Sequence, residues 1–193
     1  SYRGIMMKNL GWTNLPPEAG AIVANAFTGR AVVAQRVWLE NEDRTTSEVV
    51  PVVRGGIRDE ALGLIGLAAQ EPAISGLDSV LVGGRWFAPD ETRAVLLPSS
   101  LAKRLGIDPE NPRQAEVLLW GMPFAVVGCF DGQRLDQFTD LDGESPTPVV
   151  FPSESLADLA AMQTEDLDSE GLSSFQGRYQ HIPGEQVVIV PAS

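Results

Sequence analysis

The sequence predicts an α+β fold, on three observations. Runs rich in Val and Leu crowd residues 76–132, whereas the flanking segments mix helical and strand signals. No unit repeats at a fixed period, and no low-complexity linker exceeds a few residues, so the chain reads as intertwined rather than as beads. With 193 residues, 44% of them apolar, it can bury a proper core without disulfides.

Residues 21–27 are ambiguous by periodicity, but their length and alanine content lean towards a short helix. Residues 31–39 read as a strand with Val33, Val37 and Leu39 on the face of Gln35, followed by a polar loop at 40–47. Residues 48–53 form a strand that contains Pro51, which predicts an edge or bulged position because proline donates nothing to a ladder. Residues 61–69 are apolar but interrupted by Gly63 and Gly66, which would each cost a helix about 1 kcal/mol, and so predict a strand.

In the central block a buried turn at Gly83-Gly84-Arg85 feeds Trp86-Phe87 and an acidic loop with Asp90 and Glu91. An apolar strand, residues 94–97, then meets a short helix opened by Pro98-Ser99-Ser100, whose hydroxyls are expected to cap it. A hairpin follows, with arms at 115–120 and 124–130 and a turn expected at Gly121-Met122-Pro123. Residues 153–162 predict the clearest helix, with Ser153 as cap and Leu156, Leu159 and Ala160 at helical spacing, broken by the acidic, serine-rich span 163–174. Residues 186–190 predict a last strand, stopped by Pro191.

The order of Gly84-Arg85-Trp86-Phe87, Asp90-Glu91, Ala94-Val95-Leu96-Leu97, Leu105-Gly106 and Phe124-Ala125-Val126-Val127-Gly128 resembles the extracytoplasmic core domain of MacB/FtsX-type ABC transporter permeases. The resemblance covers residues 61–152, ending at Pro148-Val149-Val150-Phe151-Pro152, with a fainter echo at Leu10-Gly11 and Asn14. Cys129 stands where an aliphatic residue is usual, and Pro109-Glu110-Asn111-Pro112 lengthens the approach to the hairpin.

The resemblance implies one extracytoplasmic domain of two lobes. Residues 1–75 and 146–193 would form a mixed α/β membrane-proximal, porter-like lobe, and residues 76–145 an inserted β-rich, sabre-like lobe. It implies a non-catalytic part at the periplasmic face of a bacterial inner membrane, coupling ATP-driven helix movement to periplasmic rearrangement. Its partners would be transmembrane helices of the same permease chain, a cytoplasmic ATPase domain or subunit, a second copy of the permease, and a periplasmic adaptor or substrate. The chain starts at Ser1 rather than Met, which fits a piece excised from a longer product and soluble by itself.

The charge is −12, and residues 131–170 hold eleven carboxylates against Arg134 alone. That face repels nucleic-acid phosphates, so nucleic acid is not an expected partner. It also supports an alternative reading as a soluble acidic periplasmic module that holds calcium or a basic protein. No apolar run approaches the roughly 20 residues that span a bilayer.

Catalytic chemistry finds little footing. The single histidine, His181, sits near a turn, and the single cysteine, Cys129, in an apolar strand, where it reads as a small buried hydrophobe. Ser100 and Lys103 match a Ser-x-x-Lys spacing without the companion motifs of penicillin-recognising enzymes. Asp140-Leu141-Asp142-Gly143-Glu144 is out of register for an EF-hand. Neither lysine follows a phosphate-binding glycine loop. No enzyme activity, cofactor or metal site is therefore expected. The candidate partner surface is Arg85, Trp86 and Phe87, since tryptophan and arginine carry much interface energy.

Overall fold

The computed structural model describes residues 18–38, 49–113, 115–140, 143–150 and 180–192. The expected helix at 153–162, the acidic span after it and the Leu10-Gly11 echo lie outside them. Within them the chain runs α1 (Ala19–Ala26), β1 (Arg36–Trp38), β2 (Val50–Arg54), β3 (Ile57–Ala61), β4 (Gly63–Leu67), α2 (Glu71–Ser75) and a 3-10 turn (Leu77–Val80). It continues through β5 (Leu81–Gly84), β6 (Ala94–Pro98), α3 (Ser99–Arg104), β7 (Glu116–Leu119), β8 (Met122–Phe130) and α4 (Gly132–Gln137). The last elements are β9 (Val149–Val150), β10 (Gln180–His181), a 3-10 turn (Gly184–Gln186) and β11 (Val187–Pro191). The fold is α+β.

Eight strands follow the path β1-β4-β11-β6-β8-β7-β2-β3, and β5 adds to β8. The β4–β11 and β6–β8 pairs are parallel, and the others antiparallel. β3 lies at one end of this path and β4 next to the other end, yet only Leu62 separates them in sequence. The sheet must therefore roll until its ends meet, so that β3 and β4 make one bent strand across the seam. A bond from Leu62 N–H to Gln186 O, 2.8 Å, fixes the bend.

Rolling gives the sheet two apolar faces. One gathers Val50, Val52, Val95, Leu97, Val117, Leu119 and Val188 around Leu101, Ala102 and Leu105 of α3. The other gathers Ile65, Leu67, Leu96, Phe130, Val187 and Ile189 beneath Leu77, Val80 and Leu135. Neighbours along β11 and β6 alternate between the faces, which is why those strands read as unbroken apolar runs.

Several local expectations are met, and several change. Residues 21–27 do form a helix, shifted to Ala19–Ala26. The strand expected at 31–39 is only Arg36–Trp38 among the described residues. Pro51 is not on an edge strand: β2 lies between β7 and β3. It is tolerated because β2 meets β7 only at Val52 and Val53, one step past the proline.

The hairpin turn is Trp120-Gly121 rather than Gly121-Met122-Pro123, since Leu119 already faces Met122. Both turn residues have positive φ, 49° and 80°, as the tight twist-matched two-residue turn requires. Neither serine caps α3. Ser99 Oγ donates to Phe130 O at 2.9 Å and Ser100 Oγ donates to Glu185, while Pro98 occupies the capping position. The capping rule is obeyed one element later, where Asp131 accepts from Gln133 N–H and Arg134 N–H at the start of α4.

Candidate functional site at the end of strand β4

Two chain segments meet the same end of β4 from opposite sides. Arg36 opens β1 opposite Leu67, and Pro191 closes β11 beside Leu67. One residue further out, Ala68 N–H donates to Gln35 O at 3.1 Å, and Ala192 N–H donates to Leu67 O at 3.0 Å. β1 runs antiparallel to β4 and β11 parallel to it, so the chain enters and leaves the sheet at one end. One strand lies between the two, which puts entry and exit about 10 Å apart.

A buried ion cluster stands at this end. Arg36 forks onto Glu71, the first residue of α2, with Nε–Oε2 at 3.1 Å and Nη2–Oε1 at 2.6 Å. Its Nη1 reaches Asp140 Oδ2, and Nη2 lies 3.3 Å from Asp140 Oδ1. The three side chains are 12%, 1% and 4% exposed. Burial opposes the guanidinium charge as the largest single effect, but hydrogen bonds and charges from both carboxylates together outweigh it, so the Arg36 pKa stands above its ordinary value.

The cluster ties β1 to α2 and to the segment after α4. Trp38 Nε1–H reinforces the tie by donating to Pro146 O at 3.1 Å. His181, on β10, is partly buried, with Nδ1 3.0 Å from Thr147 O and 3.2 Å from Thr147 Oγ1. Its Nε2 is 3.9 Å from Glu144.

The residues singled out from sequence lie elsewhere. Arg85 forks onto Glu91 at 2.5 and 2.7 Å and donates to Trp86 O at 2.9 Å. That bond to Glu91, set against a smaller burial effect, raises the Arg85 pKa and lowers that of Glu91. Trp86 Nε1–H reaches Ala68 O at 3.4 Å, and Phe87 is only 5% exposed. The turn before them needs glycine, because a Cβ at Gly84 would stand 2.3 Å from Val127 O at a φ of 81°. Arg85 is thus the outward-facing member of the three, with Trp86 partly covered.

Ser100 lies in an open cleft of about 620 Å3 at the sheet seam, with Asp59, Glu60, Arg104 and Glu185. Its hydroxyl is committed to Glu185 rather than to Lys103, which is exposed. Arg104 is held by Asp59, with Nε–Oδ2 at 2.6 Å. Asp140, the first carboxylate of the acidic loop, faces Arg36, and Asp142 lies outside the described residues. Among the described residues no group of three or more His, Cys, Asp or Glu is placed to hold a metal ion. Cys129 is buried, and burial chiefly, with the charge of Asp108, pushes its thiol up to about 12.

Sequence reasoning passed over Arg36, Glu71 and Asp140. The available signal was weak: a glutamate two residues after the expected strand 61–69, and an arginine inside an otherwise apolar run.

No family model matches the chain, and no curated protein sequence does either. Among solved structures, the periplasmic region of MacB from Actinobacillus actinomycetemcomitans is similar to it at 17% identity, over 86% of this chain and 79% of that one, with a TM-score of 0.43.

Proposed function

We propose that the chain is a non-catalytic extracytoplasmic domain of an ABC transporter permease, inserted between two neighbouring membrane helices on the periplasmic face of the inner membrane. The observation that carries this reading is the side-by-side entry and exit beside Leu67. Their spacing of about 10 Å is that of two packed helices, so such a pair could continue into β1 and out of β11 without a long spacer. A change in helix separation would act directly on two strands of one rolled sheet. Residues 1–75 and 146–193 serve in this reading as the membrane-proximal lobe, and residues 76–145 as the inserted lobe that carries the rearrangement outward. The ATPase, a second permease copy and an adaptor or substrate belong to the same reading.

The test is to express the gene product with its natural flanking sequence, fractionate it, and read the flanks. Apolar runs of about 20 residues on both sides, with the product in the membrane fraction, are expected. A secreted soluble product would overturn the reading. In a membrane-borne parent, deleting residues 76–145 should abolish transport while ATP hydrolysis survives.

A further inference from the structure

We propose that the segment from α1 to Val32 lies on the bilayer surface. This rests on the permease reading, which puts the membrane at the end where the chain enters and leaves the sheet. α1, of sequence AGAIVANA, has no buried residue. Ile22, Phe27 and Val32 are 62%, 47% and 55% exposed.

A helix that packs on its own protein shows one apolar stripe and one polar face. α1 shows no polar face: Asn25 is its one polar side chain, and Ala21, Ile22, Val23, Ala24 and Ala26 surround it. Such a helix suits an apolar medium on several sides, which a single protein contact does not provide.

Charge points the same way. The chain carries −12, yet no Asp or Glu occurs between Ala19 and Trp38. Of the two arginines there, Arg36 is taken by Glu71 and Asp140. Arg30 is exposed and has no carboxylate partner among the described residues. This stretch can approach lipid phosphates that the acidic remainder of the chain would repel, with Arg30 at the headgroups and Ile22, Phe27 and Val32 below them. The bond between Ala68 N–H and Gln35 O fixes where the segment leaves the body, at the end shared with Ala192.

The experiment is co-flotation of the 193-residue chain with phosphatidylcholine vesicles, run beside sedimentation velocity without lipid. The chain is expected to float with the vesicles, and the Ile22→Asp, Phe27→Asp double variant to lose at least about tenfold in partition, the equivalent of one aliphatic side chain left in water. Because α1 buries nothing, that variant should melt at the same temperature as the parent, which separates lost contact from lost folding. Absence of flotation, or flotation indifferent to the substitutions, overturns the proposal. A concentration-dependent dimer that the same substitutions abolish would assign the face to a second copy, and overturns it too. None of these outcomes touches the permease reading, which stands or falls on fractionation of the full product.

Discussion

Gln35 and Ala192 are 157 positions apart in sequence, yet they bond to consecutive residues of one strand end, Gln35 O to Ala68 N–H at 3.1 Å and Ala192 N–H to Leu67 O at 3.0 Å. With β4 between them, their Cα atoms are about 10 Å apart, beyond the roughly 7 Å limit for a disulfide. The Gln35→Cys, Ala192→Cys variant should therefore resist oxidative closure but join rapidly through a short bismaleimide. Native Cys129 should not interfere, since its buried thiol is pushed up to about 12. Cross-linked and free chains would be separated by mobility on a denaturing gel. Ready disulfide formation would mean that β4 does not keep the two segments apart.

The Arg36 cluster has an asymmetric energetic signature. Three charges withdrawn from water gain little over apolar residues of the same shape, whereas removal of one partner strands the others. Arg36→Met leaves Glu71 and Asp140 facing each other without their cation, and should destabilise the fold by about 3–5 kcal/mol in urea titration. Arg36→Lys retains the charge but not the fork that reaches both carboxylates, and should fall between. Adding Glu71→Gln and Asp140→Asn to Arg36→Met should recover most of the loss. A triple variant no better than Arg36→Met would show that packing, not charge, holds this corner.

The same cluster shows where sequence reasoning stops. β4, β6, β8 and β11 are legible because β-branched and leucine-rich runs end at glycine, proline or short polar stretches. Their pairing is not, since nothing local says that β3 bends through Leu62 into β4 and closes the roll. Arg36 and Glu71 are 35 positions apart, and Asp140 lies a further 69 along, so only the rolled sheet brings them together. The hydroxyls of Ser99 and Ser100 misled for a related reason. Both sit where a cap is expected, but Phe130 O and Glu185 offer tertiary partners that a local rule cannot anticipate.

Trp120 is the one non-glycine residue with positive φ among the described residues, at 49°, and its side chain is 45% exposed. The first central position of this turn favours asparagine or glycine, and a bulky residue there costs about 1–2 kcal/mol of backbone strain. Trp120→Asn should accordingly raise the urea midpoint, by about 0.5–1 kcal/mol in stability once some lost ring contact is deducted. A lower midpoint would mean that the half-exposed ring contributes more than the strain removes.

Two surface pairs set an acid limit of known sign. The Arg85 hydrogen bond, against a smaller opposing effect of burial, holds Glu91 below its ordinary 4.5, and the Arg104 hydrogen bond does the same for Asp59 against its ordinary 3.8. A carboxyl group with a depressed folded pKa stabilises the fold above its unfolded pKa, and that stabilisation disappears as pH falls through the folded value. Arg85 and Arg104 are 55% and 51% exposed, so solvent screening limits each pair to under about 1 kcal/mol. Glu91→Gln keeps an oxygen to accept Ala88 N–H but removes the charge facing Arg85. Its deficit relative to the parent in urea titration should be full near pH 7 and shrink as pH drops below about 4.5, vanishing once Glu91 is protonated in the folded parent. A deficit that stays constant down to about pH 3 would show that geometry at the Gly84-Arg85 turn, rather than charge, is what Glu91 supplies.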